Sequence, residues 1–252
     1  MKRTERRDIH MNTNIIETHN LTKGTGSHLR VNHIDLRIPE GCVYGFLGPN
    51  GAGKTTTLKL LLGLLKPTDG SITFFGQQMT DKNRLSILKQ TGSLIENPSF
   101  YGHLTGLENL QIVAKLKKAP ASEITKVLET VRLYEQKDKK VKQYSLGMKQ
   151  RLGIAMALLG NPRVLILDEP TNGLDPAGIQ EMREFIKNLP ATHQMTVIVS
   201  SHLLSEMEQM ADMVGIINHG NLIYQGTMES LETQGDNLED IFLKLTGGNE
   251  SL

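Results

Sequence analysis

The segment Gly48–Thr56 has the residue types and spacing that most clearly indicate chemistry. Its sequence, GPNGAGKTT, fits the pattern G-x-x-x-x-G-K-[ST] of a phosphate-binding loop, or P-loop. In such a loop backbone N–H groups surround phosphate oxygens, Lys54 brings a positive charge to the β- and γ-phosphates, and Thr55 offers a hydroxyl to Mg²⁺. The apolar stretch 43–47 predicts a strand before the loop, and 58–65 predicts a helix whose N-terminal dipole favours phosphate. We therefore predict that a nucleoside triphosphate is bound by Gly48, Pro49, Asn50, Gly51, Ala52, Gly53, Lys54, Thr55 and Thr56.

A second chemical feature is the apolar run 164–167, which is followed directly by Asp168 and Glu169. A wholly apolar strand is typical of the centre of a parallel sheet, and ligands bind at the carboxyl ends of such strands. Asp168 suits the Mg²⁺ shell, directly or through water, and Glu169 is placed to orient or deprotonate an attacking water. The alternative interpretation is an acidic loop without a chemical role.

Length and composition limit the class of protein. The chain has 252 residues, which is enough for one large α/β domain. Its net charge of +1 gives no sign of nucleic-acid binding. Aromatic residues make up only 4% of the chain, so stacking platforms for single-stranded nucleic acid are scarce. The single cysteine, Cys42, fits a reducing compartment and is expected to be a small packing residue. The sequence predicts neither a membrane span nor a signal peptide.

Apolar periodicity predicts strands around these two segments. Residues 14–46 are expected to be rich in β-structure, because Ile34, Leu36 and Ile38 alternate with polar residues. Further strands are predicted at 72–76 and 196–200, and a hairpin at 214–218 and 222–224.

The sequence pattern of residues 97–160 differs from that of the segments around it and predicts a mainly helical lobe inserted into the α/β core. The pattern TGLE at 105–108 is that of a capping box that opens a helix, and apolar residues recur at helical spacing over 124–131. After the lobe, the pair Asp175-Pro176 predicts the start of a helix that continues to about Asn188.

Three stretches resemble characteristic motifs of ATP-binding cassette (ABC) proteins. The stretch 144–151 (YSLGMKQR) is similar to their signature motif, and 165–176 (LILDEPTNGLDP) is similar to their Walker B motif and D-loop. The stretch 200–202 (SSH) is similar to the region of their switch histidine. Together with the P-loop, these motifs occur in the family's order and spacing over nearly all of residues 15–235, and few other P-loop proteins carry the signature.

The resemblance implies a head-to-tail dimer that encloses two ATP molecules between the P-loop of one subunit and the signature of the other. Ser145 is expected to cap a helix over about 146–159, whose exposed N–H groups form a second anion site that makes most sense facing ATP on another subunit. An ordinary capped helix is the alternative. The family pattern implies that His202 contacts the γ-phosphate and that Asp175 adds a cross-dimer contact to its role as a helix cap. The implied signature residues are Ser145, Leu146, Gly147, Met148 and Lys149, and the implied catalytic residues are Lys54, Glu169 and His202.

One departure from the family pattern lies between the P-loop and the helical lobe, where ABC proteins usually have a glutamine near Mg²⁺ and the permease contact. Glu96 occupies this position, and the nearby Gln90 lies too early in the chain to be the family's glutamine. A carboxylate there can still ligate Mg²⁺, so the predicted metal ligands are Thr55, Asp168 and Glu96. Glu96 and its neighbours resemble the ATP-binding subunits of lantibiotic self-protection and bacitracin-export transporters, and a harmless Gln-to-Glu change in another ABC subfamily is the alternative.

A second departure concerns the adenine base, which the family usually stacks on an aromatic residue before the first core strand. Counting back from the P-loop places Thr25 there, and no Phe, Tyr or Trp lies nearby, although His28 is a candidate substitute. Without a stack of about 1–3 kcal/mol, weaker ATP affinity or a looser preference for ATP over GTP is predicted.

These features predict an α/β fold with a P-loop NTPase core of the ABC ATPase type, an antiparallel β subdomain and an inserted helical subdomain. One nucleotide-binding domain is expected over 14–240, with the helical subdomain at about 97–160 and terminal extensions at 1–13 and 241–252.

The resemblance predicts an ATP- and Mg²⁺-dependent ATPase subunit of an ABC exporter for a lantibiotic- or bacitracin-type peptide antibiotic. The expected partners are a separate membrane permease and a second ATP-binding subunit, most simply in a homodimer, at the cytoplasmic face of the plasma membrane, with no nucleic acid. An exporter of lipid, polysaccharide or another drug uses the same ATPase and stays open as an alternative. A non-transport ABC protein acting on ribosomes would normally carry two cassettes, and a regulator without turnover would be expected to lose Glu169 or His202.

Overall fold

A computed structural model of the chain describes residues 13–26, 28–96 and 99–232. The predicted C-terminal extension at 241–252 lies outside the described residues, as does the predicted N-terminal extension apart from Thr13. The described part begins with a strand at Asn14 and its last element is a short helix at Met228–Glu232.

The described residues form β-strands and α-helices, and the strands include both parallel and antiparallel pairs. The strands are β1 (Asn14–Thr25), β2 (His28–Ile34), β3 (Arg37–Pro39), β4 (Val43–Leu47), β5 (Asp69–Phe74), β6 (Gln77–Gln78), β7 (Thr91–Leu94), β8 (Val164–Asp168), β9 (Thr196–Ser201), β10 (Met213–Asn218) and β11 (Asn221–Thr227). The α-helices are α1 (Lys54–Leu61), α2 (Arg84–Leu88), α3 (Gly106–Lys117), α4 (Ala121–Thr130), α5 (Leu146–Leu158), α6 (Pro176–His193), α7 (Leu204–Met210) and α8 (Met228–Glu232).

The strands form two sheets. One sheet has the order β11-β10-β4-β9-β8-β7, in which only the β10–β11 pair is antiparallel. The other sheet is antiparallel, with the order β2-β1-β5-β6 and with β3 also paired to β1. In the first sheet β4, β8 and β9 lie next to one another, so the segments that follow their carboxyl ends, including the P-loop, Asp168 and His202, meet at one edge.

Two apolar cores hold these layers together. The first lies between the parallel sheet and the antiparallel sheet and includes Phe46, Leu58 and Phe74, each at most 1% exposed. The second lies on the other face of the parallel sheet, where α3, α4 and α5 pack with residues such as Leu110 and Leu152. Full burial of a large aliphatic or aromatic side chain contributes about 1.5–3 kcal/mol to folding stability. Both faces of the parallel sheet carry such side chains, so both cores stabilise the fold.

Three boundaries differ from the sequence prediction. Helix α1 spans Lys54–Leu61 instead of 58–65, because it begins directly after Gly53 and the chain then turns at Gly63, whose φ is +61°. Helix α6 continues to His193 instead of ending near Asn188, and Pro190 lies buried within it. The continuous strand predicted from Ile34 to Ile38 is divided into β2 and β3, although both of these side chains are buried as expected.

Cys42 is fully buried and its Sγ lies 3.3 Å from the Pro39 carbonyl oxygen. Burial, with a smaller effect from the charge of Asp212, raises the pKa of the thiol to about 12. A protonated buried thiol is chemically inert, which agrees with the predicted packing role. Over the part of the chain that the structure describes, no helix is both long enough and apolar enough to cross a membrane.

Candidate functional site

The P-loop runs from the end of β4 into α1 and depends on glycine where the chain approaches its neighbours most closely. Gly53 is the N-cap residue of α1 at φ +112°, and a Cβ there would lie 2.5 Å from the carbonyl oxygen of Arg30. A Cβ on Gly48 would collide with the backbone of Ile217. The loop therefore needs these glycines both for its backbone angles and for its packing.

Lys54 extends into the loop and is only 5% exposed. Its Nζ donates to the carbonyl oxygens of Gly48 at 2.7 Å and Pro49 at 3.2 Å, and it lies 3.3 Å from Oε1 of Glu169. An ammonium group has three donors, so the loop carbonyls and the carboxylate use all of its capacity. Phosphate oxygens that enter the loop can take over these bonds.

Thr55 and Asp168 meet as the sequence predicts for a Mg²⁺ site. The hydroxyl of Thr55 donates to Oδ2 of Asp168 at 2.8 Å, and Oδ1 of Asp168 accepts from the hydroxyl of Ser200 at 2.6 Å. A hydroxyl and a carboxylate beside a phosphate cradle fit Mg²⁺, which prefers oxygen and is usually held by one or two carboxylates, substrate phosphates and water. Bound there, Mg²⁺ would neutralise charge on the phosphates.

Glu96, the third predicted metal ligand, makes a different contact. Its Oε1 lies 2.6 Å from Nζ of Lys59, which follows Thr55 by about one turn of α1. The Glu96 side chain is 63% exposed, and its φ is +59°. The structure thus brings Thr55 and Asp168 together and places the Glu96 carboxylate on Lys59, so the metal role of Glu96 stays a prediction.

Glu169 contacts both of the other predicted catalytic side chains, Lys54 and His202. Its Oε1 contacts Lys54 at 3.3 Å and its Oε2 lies 3.2 Å from Nδ1 of His202. The residue has φ +46°, and its backbone N–H donates to Ser200 Oγ at 2.9 Å. A non-glycine residue in this left-handed region is held there by its surroundings, and such strain is concentrated at functional sites.

These groups border a cavity of about 290 Å³ above the P-loop. Its lining residues are Arg30, Asn50, Gly51, Gly53, Lys54, Thr55, Thr56 and Glu169. Backbone N–H groups and a lysine hold an anion, and a carboxylate at the same cavity can accept a proton from water. The arrangement can therefore bind a polyphosphate and activate a water against it.

Ser200 and Glu206 are the residues that the sequence analysis did not assign to this site. Ser200 bridges Asp168 and Glu169, as described above, and it pairs with Asp168 across β8 and β9. Glu206 is 4% exposed, and its Oε2 accepts from the hydroxyls of Thr171 at 2.9 Å and Ser201 at 2.7 Å. The role of Glu206, the fourth residue after His202, could not be predicted from the sequence. One of the two hydroxyls that it binds belongs to Thr171, in a distant part of the chain.

Glu206 is expected to stabilise the loops that carry Glu169 and His202. Its replacement by Ala leaves two buried hydroxyls without an acceptor, so the free energy of unfolding should fall by about 2–4 kcal/mol. Glu206→Gln keeps an acceptor oxygen and removes a buried charge, and should change it by less than about 1 kcal/mol. Urea unfolding of both variants measures the difference, and equal losses would contradict the hydroxyl bridge.

The signature residues lie apart from this cavity, in the first turn of α5. Ser145 caps the helix, since its Oγ accepts from the N–H of Met148 at 3.2 Å. Leu146 is 45% exposed, and a Cβ added to Gly147 would meet only Leu174, at 3.6 Å, among the described residues. The five predicted signature residues are absent from the lining of the nucleotide cavity. Their contribution to a site on another subunit stays a prediction.

The signature helix is fixed to its surroundings at several points. Arg151 donates to Glu181 of α6 at 2.6 Å and to the carbonyl oxygen of Val131 at 3.2 Å. Nζ of Lys117 donates to three carbonyl oxygens at the other end of α5. Asp175 caps α6, because its Oδ1 accepts from the N–H of Gly178 at 3.1 Å. The ion pair between Arg151 and Glu181 thus joins α5, which carries the signature, to α6, which follows the D-loop.

Comparisons with known proteins give relatives with informative names. The bacitracin transport ATP-binding protein BcrA of Bacillus licheniformis is 51% identical over 222 residues, which cover 86% of this chain and 71% of that protein. The lantibiotic transport ATP-binding protein SrtF of Streptococcus pyogenes is 43% identical over 228 residues, which cover 90% of this chain and 96% of that protein.

Fold and family comparisons agree with these relatives. A solved structure described as an ATP-binding subunit of an ABC transporter is similar with a TM-score of 0.80 at 27% identity, covering 92% of this chain and 99% of that one. The family model described as ABC transporter matches residues 31–172. The predicted family and fold class are confirmed: the chain belongs to the ABC transporter family as an ATP-binding, ATP-hydrolysing subunit.

Proposed function

We propose that this chain is the ATPase of an exporter that removes a bacitracin- or lantibiotic-type peptide antibiotic and so gives resistance or self-protection. The observation that carries the proposal is the connected set of Lys54, Glu169 and His202 beside the P-loop, in a chain about half identical to a bacitracin transport subunit. The cargo itself contacts the permease, so the cargo assignment rests on the relatives, whereas the ATPase mechanism rests on the site.

ATP binding rearranges the bonds that Lys54 makes. The loop N–H groups and Lys54 hold the β- and γ-phosphates, and the ammonium group exchanges the carbonyls of Gly48 and Pro49 for phosphate oxygens. Glu169 is then released from Lys54 and its carboxylate accepts a proton from the attacking water. His202 holds Glu169 at Oε2 and contacts the γ-phosphate, which couples the position of the base to the presence of that phosphate.

The second half of the ATP site comes from another copy. Ser145 at the N-cap and Gly147 in the first turn of α5 direct N–H groups to the γ-phosphate bound by the partner. Thr55 and Asp168 would hold Mg²⁺, which would neutralise charge on the phosphates, and Glu96 would be a further oxygen ligand if it left Lys59. We propose a homodimer because one chain carries both the P-loop half and the signature half of the site.

The cassette extends over residues 14–240 in this proposal, and its helical lobe at about 97–160 contacts a separate permease at the cytoplasmic face of the plasma membrane. ATP binding closes the dimer and hydrolysis reopens it. Because Arg151 and Glu181 join the signature helix to α6, movement at the D-loop reaches the lobe that contacts the permease.

The experiment compares sensitivity to bacitracin and to a lantibiotic in cells that carry this chain with its neighbouring permease. The intact chain should raise the inhibitory concentration of at least one of these peptides, and Glu169→Gln should abolish that increase. Glu40→Gln is the matched control, because Glu40 forms an exposed ion pair with Arg163 at 2.7 Å and lies outside the site.

Unchanged sensitivity with the intact chain, while the purified chain hydrolyses ATP, would contradict the cargo and leave the ATPase standing. Resistance that persists with Glu169→Gln would contradict the coupling of hydrolysis to export.

A further inference from the structure

Arg30 is the extra residue of a β-bulge between β1 and β2. Gly24 pairs with Leu29 and the preceding residue, Lys23, pairs with Val31, so Arg30 has no partner across the strands. A bulge of this kind leaves one residue outside the regular alternation and changes the direction of its side chain. Bulges are common beside active sites for this reason.

The backbone of Arg30 is held against the P-loop. Its carbonyl oxygen lies where a Cβ on Gly53 would come within 2.5 Å, and a Cβ on Gly220 would lie 3.0 Å from it. Asn32, two residues after Arg30, donates its N–H to the carbonyl oxygen of Gly220 at 2.8 Å. The position from which the side chain starts is thus set by close backbone packing.

The Arg30 side chain is exposed and lines the nucleotide cavity. Within the described residues its guanidinium has no hydrogen bond, ion pair or ring contact. Among the described residues that line the cavity, Glu169 is the only carboxylate, and it already contacts Lys54 and His202. A planar cation with five donors is therefore left free at the mouth of an anion site.

Among the described residues, the lining of the cavity includes no aromatic side chain. Lys54 is buried whereas Arg30 is exposed on β2, so we expect the γ-phosphate at Lys54 and the base towards Arg30. Thr25 and His28, the last paired residues of that hairpin, are both exposed, and Thr25 has no ring to stack.

We propose that the guanidinium of Arg30 stacks on the purine base of the bound nucleotide and replaces the aromatic residue that is absent at Thr25. The assignment rests on the proposed nucleotide site. A guanidinium is planar and weakly hydrated, so it stacks on aromatic faces more readily than an ammonium group does. It accepts adenine and guanine alike, because every base has a π-face.

The test measures Mg²⁺-dependent binding of ATP, GTP and inorganic tripolyphosphate to the purified chain by calorimetry. Arg30→Ala and Arg30→Lys should each weaken ATP and GTP by about 3- to 10-fold and leave tripolyphosphate unchanged. Thr25→Tyr added to Arg30→Ala should restore ATP affinity. Arg37→Ala is the control, because Arg37 is exposed on β3 and does not line the cavity.

Equal losses for ATP and tripolyphosphate, or full recovery in Arg30→Lys, would overturn base stacking in favour of a phosphate contact. Unchanged ATP affinity in Arg30→Ala would overturn any role of Arg30 in binding, while the nucleotide site stands. If the unmodified chain binds none of the three ligands, the nucleotide site itself falls and Arg30 falls with it.

Discussion

Glu169→Gln is expected to lower ATP hydrolysis by about 100-fold or more while ATP binding is retained. The substitution keeps the size of the side chain and removes the carboxylate that accepts a proton from water, a contribution of about 10²–10⁴ in general-base catalysis. Lys54 keeps its bonds to the carbonyl oxygens of Gly48 and Pro49, so the loop stays in place. Phosphate release at saturating ATP measures the rate, and equilibrium titration measures binding.

The same variant should also accumulate as an ATP-bound dimer, since closed pairs no longer reopen by hydrolysis. Size-exclusion chromatography with and without ATP separates this effect from a simple loss of folding. Glu40→Gln, which alters the exposed pair with Arg163, should behave as the unmodified chain. Near-normal turnover in Glu169→Gln would assign the base to another group.

The P-loop and the Walker B strand could be predicted from sequence because their signals are local. Glycine spacing, a lysine and a hydroxyl residue define the loop, and an apolar strand ending in two acids defines Asp168 and Glu169. The parallel sheet follows from the same strands, and it brings Thr55 within 2.8 Å of Asp168 although 113 positions separate them. Local patterns thus predicted long-range contacts wherever sheet order fixed the geometry.

Contacts that depend on irregular backbone geometry could not be predicted from the sequence. The bulge at Arg30 is visible only once the register of β1 and β2 is known, because periodicity cannot show where an extra residue lies. Helix α6 passes the predicted end near Asn188 and includes Pro190, because burial of this face of the helix outweighs the one hydrogen bond that proline cannot donate. The Lys59–Glu96 pair escaped for a similar reason, as Glu96 follows the end of its strand in a left-handed conformation.

Gly147→Ala is expected to leave the isolated chain at least as stable and to lower ATP hydrolysis by about 10-fold or more. Gly147 lies in the first turn of α5, where a Cβ would meet only Leu174 Cδ2 at 3.6 Å, an ordinary contact. Alanine in a helix is favoured over glycine by up to about 1 kcal/mol, which corresponds to a rise in melting temperature of about 2–4 °C for a chain of this size. The chain's own fold gives no reason for glycine there.

The reason must then lie in what approaches the helix from outside. If Gly147 faces the γ-phosphate bound by a second copy, a methyl group pushes that phosphate away from the N–H groups of the turn, and dimer closure and hydrolysis fall together. Gly106→Ala is the matched comparison, since Gly106 occupies the first turn of α3 and a Cβ there collides with the hydroxyl of Tyr144. That variant should lose stability, whereas Gly147→Ala should lose only activity. A stable Gly147→Ala with normal ATP turnover would show that the signature turn does not contact nucleotide.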